Sequence, residues 1–195
     1  MARRAQLIDA AGVIALEQGH LPIAPERLSQ AVGASKALLY VYFPTQHLLF
    51  NGVLARCLGE LAAARIHAWP SGASLRDASQ HCASLYFDHV AANGPLIHLI
   101  LRDPYMAGRI DTANRTFRDR TMRRLAHAAR RELTLTSKEI IAAINLVLTI
   151  PEQAGSMAWR GEMERAAAKA LCSQLVASSL AALAPDAFGG SPRAR

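Results

Sequence analysis

Apolar residues recur along this chain at three- and four-residue intervals rather than in alternation. Leu7, Ile8, Ala11, Ile14 and Ala15 fall on one face of a helix over about residues 3–18. Gly19 stands where a left-handed C-terminal residue belongs. After the loop HLPIA, Pro25 opens a second helix that runs to about residue 32. Gly33 and Ala34 make a short turn, Ser35 caps a brief helix that ends near residue 42, and Pro44 stops it. Thr45 then caps a long helix over about 46–68. The segment WPSGAS, 69–74, is the clearest break. Beyond it the pattern predicts helices over about 75–93, 95–102, 111–133, 137–161 and 163–184, with a kink from Pro151. The tail PDAFGGSPRAR is expected to fray. No hairpin dipeptide separates alternating runs, and no internal repeat is present. The pattern predicts an all-α fold of about nine helices.

Composition narrows the compartment and the chemistry. Hydrophobic residues make up 51% of the 195, enough for a proper core. The net charge of +7 and pI near 9.9 shift the odds toward polyanionic partners. Cys57, Cys82 and Cys172 lie far apart with no CxxC spacing, which argues against a disulfide framework or zinc site and fits a reducing compartment. The opening MARRAQLIDAAG lacks an apolar run long enough for a signal peptide, and no stretch approaches about 18 uninterrupted apolar residues. A cytoplasmic protein with no membrane partner, no metal and no cofactor is expected. Ser84, His81, Asp88 and Cys82 sit close together in sequence, but without a nucleophile elbow, a glycine-rich phosphate loop or HExxH they do not read as an enzyme.

The second and third helices form a helix-turn-helix. Gly33 takes the positive φ of the sharp turn without a Cβ clash, and Ala34 lets two helices cross closely. Ser35 caps the second helix, whose N-terminus presents N–H groups suited to phosphate and whose body fits a major groove.

Residues 4–54 resemble the DNA-binding domain of the tetracycline-repressor (TetR) family of bacterial regulators. The resemblance rests on LIDAAGVIALEQG and RLSQAVGASKALLYVYFPTQHLLF, in which Gly33, Ser35, Lys36, Leu39, Tyr40, Tyr42 and Phe43 occupy the matching places. Departures are Ala24 for a capping threonine, Ala15 for a phenylalanine, Gln46 for a lysine and His47 for an acidic residue. The resemblance implies a DNA surface of Ser35, Lys36, Ala37, Leu38, Tyr40, Tyr42, Thr45, Gln46 and His47. It places Tyr40 at the groove and Tyr42 at the backbone through its hydroxyl, although either also fits a partly buried wedge between helices. Ala37, Leu38 and Val41 are placed to meet thymine methyls, so part of the selectivity is expected from DNA shape. Leu39 and Phe43 are expected to face inward. Residues 1–50 carry only four basic against three acidic side chains, and an arm made by Arg3 and Arg4 is expected to add charge in the minor groove. The arginine-rich run 102–131 reads better as a solvated helix face, with Asp111–Arg115 and Asp119–Arg123 spaced to pair.

The resemblance further implies two domains, 1–50 reading DNA and 51–195 binding a small effector and forming a homodimer. The implied partners are a palindromic double-stranded operator, an unidentified effector and a second copy of the chain, the whole acting as a ligand-released repressor. Leu171, Leu175 and Ala182 form a stripe for the dimer surface, although such a stripe also serves as internal core. Pocket candidates are His81, Cys82, Tyr86, His89, His98, Tyr105, Met106, Phe117, Asn145 and Trp159, each of which also fits core or surface. The competing reading is a helical small-molecule-binding protein that has lost specific DNA binding.

Overall fold

Side-chain caps decide where the helices begin. Ser35, Thr45, Ser74, Asp111, Thr136 and Glu164 each accept a backbone N–H of the first turn that they precede. In this computed structural model, which describes residues 2–183, the helices are α1 (Ala2–Gln18), α2 (Pro25–Val32), α3 (Lys36–Tyr42), α4 (Gln46–Ala63) and α5 (Leu75–Asn93). There follow α6 (Leu96–Arg102), α7 (Thr112–Glu132), α8 (Ser137–Val147), α9 (Thr149–Trp159) and α10 (Arg165–Ala181), with a 3-10 turn at Pro104–Met106 between α6 and α7. No strand occurs among the described residues, so the fold class is all-α. The tail expected to fray, 185–195, lies outside the described residues.

Two boundaries differ from those expected, each for a local reason. The helix expected over 137–161 breaks at Leu148. Pro151 has no N–H to donate to the carbonyl four residues back, that of Val147, and α8 ends there. The Thr149 hydroxyl instead donates to the Leu146 carbonyl at 2.6 Å. Counting α8 and α9 as one broken rod leaves nine. Helix α4 stops at Ala63 rather than near residue 68, because Arg65 turns the chain at φ 61° and sends Ile66 back into the core.

Packing centres on α4 and α5. The first half of α4 lies on α1, where Leu49, Phe50 and Val53 meet Leu7, Ala11 and Ile14. Its second half presents Leu54, Leu58 and Leu61 toward α5 and α7. The boundary expected after residue 50 therefore falls inside one helix, and a single apolar cluster runs across it from Leu7 to Ile144. Helix α5 also packs on α9 and α10, with Phe87 and Ala83 against Ala168, Cys172 and Val176. The stretch 137–159 has the length and mean hydropathy, 1.3, of a membrane span, but its α9 half is packed between α5 and α10 and buries Glu152.

The arginine-rich run does more than face solvent. Arg124 donates to the Trp69 carbonyl at 3.0 Å and lies over its ring at 4.8 Å, while Arg131 donates to the Ser71 carbonyl at 3.1 Å. These contacts hold the WPSGAS loop against α7. The Asp111–Arg115 and Asp119–Arg123 pairs do not form. The Asp111 side chain is turned back to cap α7, accepting the Asn114 N–H at 2.8 Å.

Helices α5 and α9 pack closely at Gly155, where an added Cβ would stand 2.8 Å from Val90 Cβ and 3.0 Å from the Phe87 carbonyl. Gly155→Ala is expected to destabilise the protein. Overpacking costs about 1–3 kcal/mol, against roughly 1 kcal/mol gained by alanine in a helix. The urea midpoint should fall; a midpoint at or above that of the parent would show that the two helices have room to separate.

Candidate nucleic-acid interface and cavity

The helix-turn-helix is built at Gly33, which adopts φ 60° and ψ 44° and lets its own N–H and that of Ala34 close on the Gln30 and Ser29 carbonyls. The Ser35 hydroxyl accepts the Leu38 N–H at 3.2 Å and starts α3. Three faces of α3 then separate. Leu39 and Phe43 are buried against the α1–α4 core. Lys36, Ala37, Tyr40 and Val41 point outward, with Val41 75% and Tyr40 46% exposed. Leu38 is half-buried on the flank, four residues from Tyr42, which is 38% exposed. Thr45 is exposed and caps α4, its hydroxyl accepting the Leu48 N–H at 3.3 Å.

Other residues expected at this surface are engaged inside the protein. The Gln46 amide bridges to Ile23, accepting its N–H at 3.0 Å and donating to its carbonyl at 2.7 Å, which pins the α1–α2 loop. The His47 ring stacks on Tyr105 with centroids 4.2 Å apart and planes 9° apart. Lys36 pairs with Glu26 across the turn, which offsets part of its charge. Arg3 and Arg4 lie within α1 rather than in a free arm. Arg3 donates to the Val32 carbonyl at 3.0 Å, satisfying an end of α2, and Arg4 sits over the Phe43 ring at 5.0 Å.

A buried polar node ties α4 to the strap between α6 and α7. Asn51 donates from Nδ2 to the Arg109 carbonyl at 2.8 Å and accepts the Asp111 N–H at Oδ1 at 2.9 Å. Asn114, also buried, donates to the Asn51 carbonyl at 3.0 Å. Asp103 adds a third tie, accepting the Leu21 N–H at 2.8 Å. Together with the His47–Tyr105 stack, these contacts fasten residues 103–114 to the first turns of α4 and to the loop behind α1.

The far side of the same strap lines a cavity of about 450 Å³ between α4, α5, α6, α7, α8 and α9. Its wall is aliphatic and aromatic: Leu54, Leu58, Leu61, Ile97, Ile110 and Phe117 contribute. Glu152, only 6% exposed, forms the polar inner end. His98 Nδ1 stands 2.6 Å from its Oε1, and the Tyr86 hydroxyl reaches Oε2 at a long 3.5 Å. Burial lifts the Glu152 carboxyl above the usual value, against the opposing pull of His98 and Arg102. Burial also raises the Tyr86 phenol, and pushes the Cys82 thiol on the same wall up to about 12. Arg102, Arg115, Arg118 and Asp119 are also in the lining, and all four are exposed.

Of the residues expected to line a pocket, Cys82, Tyr86, His98, Phe117 and Asn145 meet here. The others do not. His81 Nε2 faces the Arg65 carbonyl at 3.1 Å, edge-on to Trp69, and steadies the turn after α4. His89 is buried beside Glu60, its Nδ1 3.3 Å from that carboxylate, and burial lowers its pKa. Tyr105 is occupied by His47, Met106 is core, and Trp159 lies outside the lining at 40% exposure. Glu152, Asn51 and Asn114 were not anticipated, although a lone acid or amide within an apolar stripe is the signal of a buried, partnered group. Leu171 and Leu175 of α10, and Ala182 just past its end, are exposed, on a flank that adjoins buried Ala168, Cys172 and Val176.

No family model matches the chain, and no curated protein is significantly similar to it. Solved structures are similar in fold. A TetR-like transcriptional regulator from Rhodococcus sp. RHA1 shares 21% identity at a TM-score of 0.67, covering 92% of this chain and 96% of that one. FadR of Bacillus subtilis, solved in complex with stearoyl-CoA, shares 15% identity at a TM-score of 0.67, with 90% and 98% covered. PfmR, a TetR-family regulator of Thermus thermophilus, shares 18% identity at 0.63, with 88% and 97% covered. The resemblance read from residues 4–54 thus extends over nearly the whole chain: its architecture is that of TetR-family transcriptional regulators.

Asn51→Ala is expected to cost about 2–4 kcal/mol in urea unfolding, because it strands the Arg109 carbonyl and the Asp111 N–H where water is excluded. A change below about 0.5 kcal/mol would show that water replaces the amide.

Proposed function

We propose that this protein is a DNA-binding transcriptional regulator, acting as a homodimer and released from its operator by a small molecule held in the cavity. The single observation that carries this reading is the outward face of α3. Tyr40 and Val41 are large, apolar and solvent-exposed, on a capped helix seven residues long that is anchored by Leu39 and Phe43. Such a face costs solubility unless a partner covers it, and a major groove accepts a helix of this width. Residues 1–50 act as the reading head and 51–195 as the regulatory part, with α4 running through both.

Three observations support the remaining parts. The exposed leucines of α10 offer an apolar stripe to the same stripe of a second copy, as twofold pairing requires. A dimer places two α3 helices on successive grooves of a palindromic site, about 34–36 Å apart. The strap 103–114 touches both the cavity and the head, so a ligand that moves one displaces the other. FadR of Bacillus subtilis, with the same fold, was solved with a ligand, stearoyl-CoA. Repression is the mode that ligand release implies, and the cytoplasm is where such a protein meets DNA.

The rival reading, a helical binding protein without specific DNA recognition, draws on the Lys36–Glu26 pair and the inward turn of Gln46. Selection from a random duplex library followed by mobility shift separates the two. A regulator is expected to enrich a twofold-symmetric site and to lose affinity steeply with salt. Lys36→Ala should lower the salt slope by roughly one. Tyr40→Ala should abolish specific binding while leaving helicity and mass in solution unchanged. No enrichment of any sequence, or full binding by the Tyr40 variant, would contradict the proposal.

A further inference from the structure

The charges around the cavity are unequally matched. Glu152 at the inner end already has partners, His98 on one oxygen and Tyr86 on the other. It is not a bare anion waiting for a cationic ligand. The outer wall is different. Arg102 ends α6, and Arg115 and Arg118 lie one turn apart on α7. Among the described residues no guanidinium of the three makes an ion pair or hydrogen bond, although other arginines of α7 are tied to carbonyls. Asp119 lies beside them on the outer wall, and the other lining carboxylate, Glu152, sits at the inner end, where His98 and Tyr86 engage it and Arg102 also acts on it. Three guanidiniums against two carboxylates, one of them already partnered, leave an excess of positive charge beside an aliphatic chamber.

Resting on the reading of this cavity as an effector site, we propose that the effector is an amphipathic anion. Its aliphatic body lies among Leu54, Leu58, Leu61, Ile97 and Phe117, and its carboxylate or phosphate head meets Arg102, Arg115 and Arg118. Guanidinium forks suit both heads because each offers oxygens spaced for two parallel N–H donors. The aliphatic wall contributes affinity in proportion to the area it covers, and the arginines contribute selection of charge. The volume, about 450 Å³, lies within the usual range of small-molecule sites.

Four probes with the same eight-carbon chain separate the possibilities by calorimetric titration of the full chain: octanoate, octyl phosphate, octanol and octylammonium. The two anions are expected to bind about tenfold or more tightly than the alcohol, which is the sum expected of three exposed charge contacts. The ammonium is expected to bind most weakly. Whichever of octanoate and octyl phosphate is tighter identifies the head. The triple variant Arg102→Ala, Arg115→Ala, Arg118→Ala should bind octanol like the parent and lose the preference for anions. Because the three side chains are exposed, circular dichroism and the retained octanol affinity report that the chamber survives; Arg115→Gln alone, with a partial loss, serves as a second check. Ammonium binding at or above the alkanoate's, an anion preference kept by the triple variant, or no binding of any probe would overturn the proposal. The readout involves no DNA. A chain that binds an operator yet shows no anion preference loses the ligand class and keeps the regulator reading; anion binding without DNA binding does the reverse.

Discussion

Helix α4 has to satisfy two cores at once, and the rest of the structure is arranged around that constraint. Its first turns are packed on α1 through Phe50 and Val53, while Leu54, Leu58 and Leu61, further along the same helix, line the cavity. A helix transmits displacement along its axis because its backbone bonds are satisfied internally and its sides are closely packed. Neither end can shift without disturbing the packing of the other. Asn51 sharpens this: its amide holds the strap at Arg109 and Asp111, and Asn114 returns from the cavity wall to its carbonyl. A buried amide with partners on both sides tolerates few geometries, since an unpaired polar atom there costs more than a paired one gains.

Polar groups are placed by the same logic elsewhere. Gln46 and His47, close to the exposed face of α3 in sequence, face inward because the α1–α2 loop and Tyr105 offer them partners there. The outward face of α3, Lys36, Ala37, Tyr40 and Val41, is short of hydrogen-bonding groups, so under the proposed function more weight falls on van der Waals contact and duplex shape. In the cavity the acid is deep and matched, while the excess of guanidinium is shallow.

Much of the architecture was legible in the sequence because helical periodicity and caps are local. Pro25, Gly33, Ser35 and Thr45 mark boundaries that the structure reproduces to the residue. The break at Leu148 was readable only as a kink, since whether a proline bends or ends a helix depends on what re-satisfies the freed carbonyl. Long-range polar contacts were not legible. Nothing near Asn51 in sequence announces Arg109 or Asp111, and Glu152 is paired with His98, 54 positions earlier. His81, His89 and His98 were all pocket candidates, but of the three only His98, on α6, reaches the cavity. Which histidine meets the chamber is set by how α5 and α6 are rotated against α7, and that rotation is fixed by tertiary packing.

The claim that the head and the cavity wall form one mechanical unit is tested most directly by native-state hydrogen exchange across α4. The amides of residues 49–53, those of α1 and those of residues 54–61 are expected to open together, with one free energy and one denaturant dependence. Opening of α1–α3 with the first turns of α4 at a much lower free energy, while residues 54–61 stay protected, would contradict that claim.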